Sequence, residues 1–318
     1  MSKILVTGAT GFVGRKLVPA LIRSGYGVRC AVSKKVDWLE AEQVIMNRLE
    51  FETDWSKALI GIDVVIHLAA RVHIMKEKAE SALDEYYKIN TVATKNLAEQ
   101  AAKHQVKRFI FLSSIKVNGE LTVEGAPFSE ETKAEPEDPY GKSKFYAEQH
   151  LQEISQKTLM EVVVVRPPLI YGPGVKANFL KMLQLVRKKV PLPFAKVQNK
   201  RHFIYIENLI SALCLLVTHP AAANQTYLVA DDDSFSVPHL LQLIAKEMNI
   251  KIWLLPFPVS LMMYTFQFLG MRNLNTRLFS SLEIDSNKIK SQLGWNPPVS
   301  SVEGLKKTVA WYQSEFNS

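Results

Sequence analysis

The sequence predicts an α/β protein, a doubly wound parallel sheet with a smaller mixed α/β region after it. Three observations predict this. An apolar run, Ile4-Leu5-Val6, leads through Thr7 into Gly8, Gly11 and Gly14 and then into a helix-spaced pattern. Short apolar runs recur at 28–32, 62–70, 109–112 and 161–166, with helical stretches among them. After Pro168 the alternation loosens. A chain of 318 residues is long enough for one large unit or for two of unequal size.

Taken in order, the first strand ends in the glycine turn. Gly8 can adopt backbone angles closed to other residues. Gly11 admits a pyrophosphate to the backbone, and Gly14 lets the next helix sit against the strand. That helix, 15–24, carries Leu17, Val18, Leu21 and Ile22 at helical spacing. A strand, a glycine turn and a helix N-terminus together aim N–H groups at an anion. We therefore read 1–170 as a Rossmann-type dinucleotide-binding region. Residues 171–318 read as a substrate region partly interleaved with it, with 201–230 returning to the first.

Residues 28–32 form the second strand. In dinucleotide folds an acid about 20 residues beyond the glycine turn binds the adenosine ribose. Here the strand runs into Ser33-Lys34-Lys35, and Asp37 is the nearest acid. A carboxylate would repel a ribose 2′-phosphate. Its absence, with Ser33 and Lys34 in its place, favours NADP over NAD as the cofactor.

The run 62–70 is apolar enough for a strand buried on both faces. It ends in small residues that admit a flat cofactor. His67 reads as satisfied by backbone groups rather than as an acid–base group. Residues 84–105 read as one long helix, with Asn90 inside it although asparagine is not a favoured helix former. The strand 109–112 delivers Ser113 and Ser114 to its C-terminal edge, where ligands bind in open parallel sheets. The acidic, proline-bearing stretch 124–138 reads as a loop, and a helix covers 140–156. After the strand 161–166, Pro167-Pro168 opens a turn-rich stretch at 169–174. Helices at 178–189, 208–217 and 237–248, and strands at 203–206 and 227–229, complete the pattern.

Composition narrows the partners. The net charge is +8, but the basic residues are scattered. There is no arginine-rich arm and no aromatic–basic interleaving, so we expect no nucleic-acid partner. Cys30 and Cys214 lack partners at metal spacing and read as reduced core residues, with no metal site. No charged-then-apolar leader precedes Ile4, so a cytoplasmic protein is expected. Residues 253–271 are the most apolar late stretch, broken by Pro256, Pro258, Ser260 and Gln267. They read as a buried helix or a wall of the substrate pocket rather than a membrane span, with weak membrane-surface contact left open.

The reactive motif is Tyr140-Gly141-Lys142-Ser143-Lys144. Four residues apart on a helix, Tyr140 and Lys144 share a face. A phenol titrates near 10 and is a poor base at neutral pH. A nearby ammonium and a positively charged nicotinamide ring would both favour the phenolate. Ser114 can hydrogen-bond the same substrate hydroxyl. The three form a proton relay beside a hydride acceptor, suited to interconverting an alcohol and a carbonyl.

These residues resemble the extended short-chain dehydrogenase/reductases of the nucleotide-sugar epimerase/dehydratase family. The resemblance runs nearly end to end. It rests on Thr7 to Gly14, His67-Leu68-Ala69-Ala70, Asn90-Thr91-Val92, Ser113-Ser114 and Tyr140 to Lys144. Further on it rests on Arg166-Pro167-Pro168, Tyr171-Gly172-Pro173-Gly174 and Leu293-Gly294-Trp295-Asn296-Pro297. It implies that Gly8, Thr10, Gly11, Phe12, Val13, Leu68, Ala69 and Ala70 contact the cofactor. Asn90, Ser113, Tyr140, Lys144 and Pro167 would join them, with Asp54 at the adenine amino group. It implies catalysis by Ser114, Tyr140 and Lys144. A nucleoside-diphosphate sugar would meet Ser114, Lys116 and Asn178, with Arg201 and Arg277 at its diphosphate. Guanidinium forks suit phosphate oxygens. The helices around Asn90 and Tyr140 would pair across a homodimer axis.

Two departures bear on the substrate. The usual strand-two acid is missing, and Asn118 stands where many members of the family carry an aromatic residue, with Lys116 adding a charge. The pattern is closer to members acting on N-acetylated UDP-hexosamines. The first expectation is an NAD(P)-dependent epimerase that transiently oxidises C4 of a UDP-hexose or UDP-N-acetylhexosamine. The alternative is an NADPH-dependent C4 reductase of a UDP-4-keto-6-deoxy-N-acetylhexosamine. A third reading, from a different class, is a non-catalytic cofactor-sensing protein.

Overall fold

The computed structural model describes residues 2–46, 52–71, 84–268, 270 and 272–316. The main sheet holds β1 (Lys3–Thr7), β2 (Gly27–Val32), β3 (Glu42–Ile45), β4 (Val64–His67), β5 (Arg108–Leu112), β6 (Glu161–Arg166) and β9 (Thr226–Leu228). Their order is β3-β2-β1-β4-β5-β6-β9, and every pairing is parallel. Chain order reverses beside β1, which pairs with β2 on one side and β4 on the other. In such sheets a ligand crevice opens outside the carboxyl ends of the strands at that point.

Strands covered on both faces need apolar residues at odd and even positions alike. Leu5, Val65, Phe109 and Phe111 face one core, whereas Val6, Ile66, Ile110 and Val163 face the other. The first core is closed by α3 (Ala93–Lys103) and α4 (Pro139–Lys157), through Leu97, Ala101, Ala147 and Leu151. The second is closed by α1 (Gly14–Arg23) and α6 (Ile206–Leu216). A short helix, α2 (Ser56–Leu59), lies between β3 and β4.

A second sheet, in the order β10-β8-β7, holds β7 (Leu169–Tyr171), β8 (Arg201–Tyr205) and β10 (Ser234–Phe235). Among the described residues, further α-helices are α5 (Ala177–Arg187), α7 (Val237–Glu247), α8 (Val259–Phe268), α9 (Arg272–Phe279), α10 (Asn287–Leu293) and α11 (Ser301–Phe316).

Several elements differ from the sequence expectation. Residues 169–171, expected within a turn-rich stretch, form β7, which pairs with β8 in parallel. Proline cannot donate to a strand ladder, so Pro167-Pro168 ends β6 and the chain re-enters a different sheet. Ile206, expected in a strand, begins α6. The long helix expected at 84–105 is α-helical at 84–86, π-helical over Tyr87–Val92 and α-helical again over Ala93–Lys103. Finally, α8 is not a buried helix. Met262 is its buried residue, while Tyr264 and Phe268 are exposed.

Candidate active site

The glycine turn works by close approach. Gly8 sits at φ +71°, and a Cβ there would lie 2.7 Å from the backbone nitrogen of Ala69. The turn is thereby pressed against the end of β4. Thr10, Gly11, Phe12 and Val13 continue it along the wall of one cavity of about 1180 Å³. Leu68, Ala70 and Pro167 line the same cavity. Its volume exceeds the range of a single drug-sized ligand site, ~300–1,000 Å³.

The catalytic candidates reach this wall from two elements. β5 ends at Leu112, and the N–H of Ser113 donates to Val165 O at 2.7 Å. Ser114 is extended and accepts the N–H of Lys116 on Oγ at 3.3 Å, so its hydroxyl still has its own proton to donate. Tyr140 and Lys144 come from the first turns of α4. Asp138 caps that helix by accepting the Gly141 N–H at 2.6 Å, and Pro139 takes the first position. A Cβ at Gly141 would lie 2.7 Å from Lys116 O. Glycine there lets the Ser114 turn touch the helix that carries Tyr140. Ser113, Ser114, Lys116, Tyr140 and Lys144 all line the cavity.

Lys144 is almost fully buried. Its Nζ donates to Leu112 O at 2.8 Å and lies 4.4 Å from the Phe111 ring centroid and 6.0 Å from that of Tyr140. Burial pulls its pKa down to about 7, against the opposing pull of the Glu148 carboxylate. Burial also pushes the Tyr140 phenol up, helped by Asp138 and Tyr86. The protein alone therefore favours the neutral phenol. A positive charge arriving with a ligand would push the other way.

Behind Ser114 lies a buried polar network. Ser113 Oγ donates to Glu148, whose carboxylate receives Arg166 Nε at 3.0 Å and an Arg166 Nη at 2.5 Å. Arg166 also donates to Asn118 Oδ1 at 3.0 Å. The departure at Asn118 thus has a local reason, since it holds the guanidinium and donates to Ser129 O at 3.1 Å. Sequence reading missed Glu148. Its spacing of one helical turn beyond Lys144 was the available signal.

The sequence candidates fall into two groups. Asn178, Arg201 and Arg277 line the cavity with the groups above. Arg201 donates to Ser280 O at 2.8 Å, and burial, with Arg277 nearby, lowers its pKa to about 10. Lys116 lines the cavity too, but its Nζ is held by Glu120 at 2.9 Å and by Asp138. Ser33, Lys34, Asp54, Ala69 and Asn90 do not line it. Ser33 and Lys34 are exposed beyond β2. Asp54 is exposed and accepts the Ser56 N–H at 2.9 Å just before α2.

Asn90 is a buried crossbrace. Its amide binds the backbone of Arg71 at 2.7 and 3.1 Å and donates to Ser143 Oγ at 3.0 Å. His67 is equally buried. Thr94 spends its proton on Asn90 O, so it must accept from His67 Nε2 at 2.9 Å. Nδ1 then accepts from Thr7 at 2.7 Å. This fixes a neutral imidazole, and burial lowers its pKa to about 3.

Among the described residues, no group of histidine, cysteine and acidic side chains is arranged to hold a metal, and no helix is long and apolar enough to cross a membrane.

The model of the NAD dependent epimerase/dehydratase family matches residues 4–230. A Vibrio cholerae protein named UDP-glucose 4-epimerase is 42% identical over 307 residues, covering 96% of this chain and 94% of that protein. Among solved structures, a UDP-glucuronic acid 4-epimerase from Bacillus cereus in complex with NAD superposes with TM-score 0.80 at 22% identity, covering 99% of each chain. A UDP-glucose 4-epimerase from Thermotoga maritima with UDP-glucose superposes with TM-score 0.77 at 26% identity, covering 98% of this chain and 99% of that one.

Proposed function

The chain belongs to the NAD dependent epimerase/dehydratase family, and on that premise we propose that it is a nucleotide-sugar epimerase acting at C4 of a UDP-hexose or UDP-N-acetylhexosamine. One observation carries the reading. Ser114, Tyr140 and Lys144 line one cavity together with the glycine turn, Arg201 and Arg277. The 4-epimerase name of the Vibrio cholerae relative supports it.

A dinucleotide fits the residues present. The glycine turn and the first residues of α1 line the cavity, and Leu68, Ala70 and Pro167 add apolar lining. When bound, NAD(P) supplies a reversible hydride acceptor. The protein's own groups handle the proton. Tyr140 takes it from the C4 hydroxyl and returns it when the carbonyl is reduced. Lys144, partly protonated near neutral pH, stabilises the phenolate. Ser114 donates to the C4 oxygen and fixes its direction. The paired guanidiniums of Arg201 and Arg277 grip the diphosphate, and the large cavity leaves room for the keto sugar to turn over. A homodimer through the helices around Asn90 and Tyr140 fits this reading. On that surface Tyr87 and Tyr146 are both exposed and meet edge-on at 5.9 Å.

A second reading has its own observation. β2 ends without an acid at exposed Ser33 and Lys34, and Arg15 lies 4.4 Å over the Trp38 ring beside them. This surface suits a 2′-phosphate and so an NADPH-dependent C4 reductase of a UDP-4-keto-6-deoxy-N-acetylhexosamine.

The test is turnover of UDP-glucose, UDP-N-acetylglucosamine and the 4-keto sugar with each cofactor. An epimerase interconverts C4 epimers without net absorbance change, whereas a reductase consumes one NADPH per product. Tyr140→Phe should lower kcat by about 10²–10⁴ while cofactor affinity stays within twofold. Undiminished turnover in that variant would remove Tyr140 from the mechanism.

A further inference from the structure

Two stretches of this chain contain no acid. Between Glu161 and Glu207 lie nine basic residues, and between Glu247 and Glu283 lie Lys251, Arg272 and Arg277. The fold fastens the two stretches together. The N–H of Leu192 donates to Trp253 O at 2.8 Å, that of Leu255 to Leu192 O at 2.8 Å, and that of Ala195 to Leu255 O at 3.2 Å. On the joined stretches Arg187, Lys188, Lys189, Lys196 and Lys251 are all exposed.

The same place shows apolar side chains to solvent. Trp253, Leu255 and Phe257 are exposed, and they alternate along an extended segment with Ile252 and Leu254, which pack inward. The segment leads into α8, which bears no charge. There Leu261, Tyr264 and Phe268 follow at spacings of three and four, on one face of the helix. Tyr264 is 69% and Phe268 81% exposed. Single exposed apolar residues are ordinary, but here, with Met263, seven fall within sixteen consecutive positions, a density that marks an interaction surface.

We propose that this face docks on an anionic lipid bilayer. The apolar side chains would enter the headgroup–acyl boundary, and the lysines and Arg187 would meet lipid phosphates. Tryptophan and tyrosine suit that boundary, with an apolar ring and a polar tip. Charge complementarity selects the bilayer over the other occupants. A second copy would set this positive surface against itself. A nucleic acid would answer the lysines but leave Leu255, Leu261 and Phe268 in water. The face lies on the membrane rather than spanning it, since no described helix is long and apolar enough to cross one. Phe266 of α8 lines the cavity, so docking holds the site beside the membrane surface. The proposal does not depend on which sugar the cavity takes.

The test is flotation of the full-length protein with vesicles of phosphatidylglycerol and phosphatidylethanolamine, against vesicles of phosphatidylcholine alone. The protein should float with the anionic vesicles at 0.1 M salt, with a bound fraction about tenfold smaller at 0.5 M salt. The triple substitution Leu261→Ser, Tyr264→Ser and Phe268→Ser should abolish flotation without changing melting temperature or turnover of soluble nucleotide sugar. Should that variant misfold, Lys188→Gln, Lys189→Gln and Lys251→Gln together supply the second arm and should weaken flotation at least as much as 0.5 M salt does. Failure of the wild type to float overturns the proposal. So does equal flotation of either folded variant. Self-association of the wild type that the triple variant loses, with no vesicle binding, would assign the face to a second copy. Retention on RNA through the lysines, with no vesicle binding, would assign it to a polyanion.

Discussion

Arg166 meets Glu148 side-on, with Nε 3.0 Å from one carboxylate oxygen and an Nη 2.5 Å from the other, both residues buried. The pair ties β6 to α4. Because Glu148 also receives Ser113 Oγ, one carboxylate fixes the end of β5 relative to the helix bearing Tyr140 and Lys144. Removing one partner of such a pair strands a buried charge and costs about 3–5 kcal/mol. Glu148→Gln should therefore lose that much in urea unfolding. The Lys144 pKa should also fall further, because Glu148 is the charge that holds it up. A variant as stable as the wild type would show that the pair bears no such weight.

Lys144 ties stability to pH. Its folded pKa of about 7 lies below the unfolded value near 10.5. Between those values the unfolded chain binds the extra proton, so stability rises with pH across the window. Below pH 7 the burden is complete. Lys144→Met should thus stabilise the ligand-free protein by about 1–3 kcal/mol at pH 7, after loss of the bond to Leu112 O. The gain should shrink towards pH 10, and turnover should be lost. A variant less stable than the wild type at pH 7 refutes this.

His67 acts at the acid end. Its folded pKa is about 3, and the unfolded value is near 6.5. The stability it contributes is present above pH 6.5 and is lost as the pH falls towards 3. From pH 7 to pH 5 the loss is about 2 kcal/mol. Denaturation midpoints of wild type and His67→Gln at those two pH values isolate the contribution. Parallel slopes for the two proteins would mean that His67 titrates normally.

Arg201→Ala should raise KM for a nucleotide sugar more than it lowers kcat. A diphosphate contact acts in ground and transition states alike, so its loss appears mainly in binding. Steady-state kinetics decide, and an unchanged KM would take Arg201 off the diphosphate.

Much of this architecture was legible in the chain, because buried parallel strands and a glycine turn leave strong local patterns. The runs at Val64–His67 and Glu161–Arg166 stand where their apolar continuity put them. Ser113-Ser114, Tyr140 and Lys144 came together as their strand-end and helical spacing implied. What escaped depends on partners distant in sequence. β7 exists because β8 pairs with it across about 30 intervening residues, and no local signal announces that. The basic residues looked scattered because they gather only when 187–196 folds against 251–255. Asn90 carried a family signature, yet its bonds run to Arg71 and Ser143 rather than to the cavity wall.

The π turn at Tyr87–Val92 is, in effect, an α-helix with one residue too many. That surplus lets Asn90, Thr91 and Thr94 reach Arg71, Ser143 and His67 from one short stretch. Deleting a single residue between Tyr87 and Val92 would restore ordinary winding. The flanking turns would stay aligned, but the side chains of the wide turn would shift and the bonds of Asn90 to Arg71 and Ser143 would be lost. The chain is therefore intolerant of length change at this spot, and an insertion or deletion here should do more harm than most substitutions.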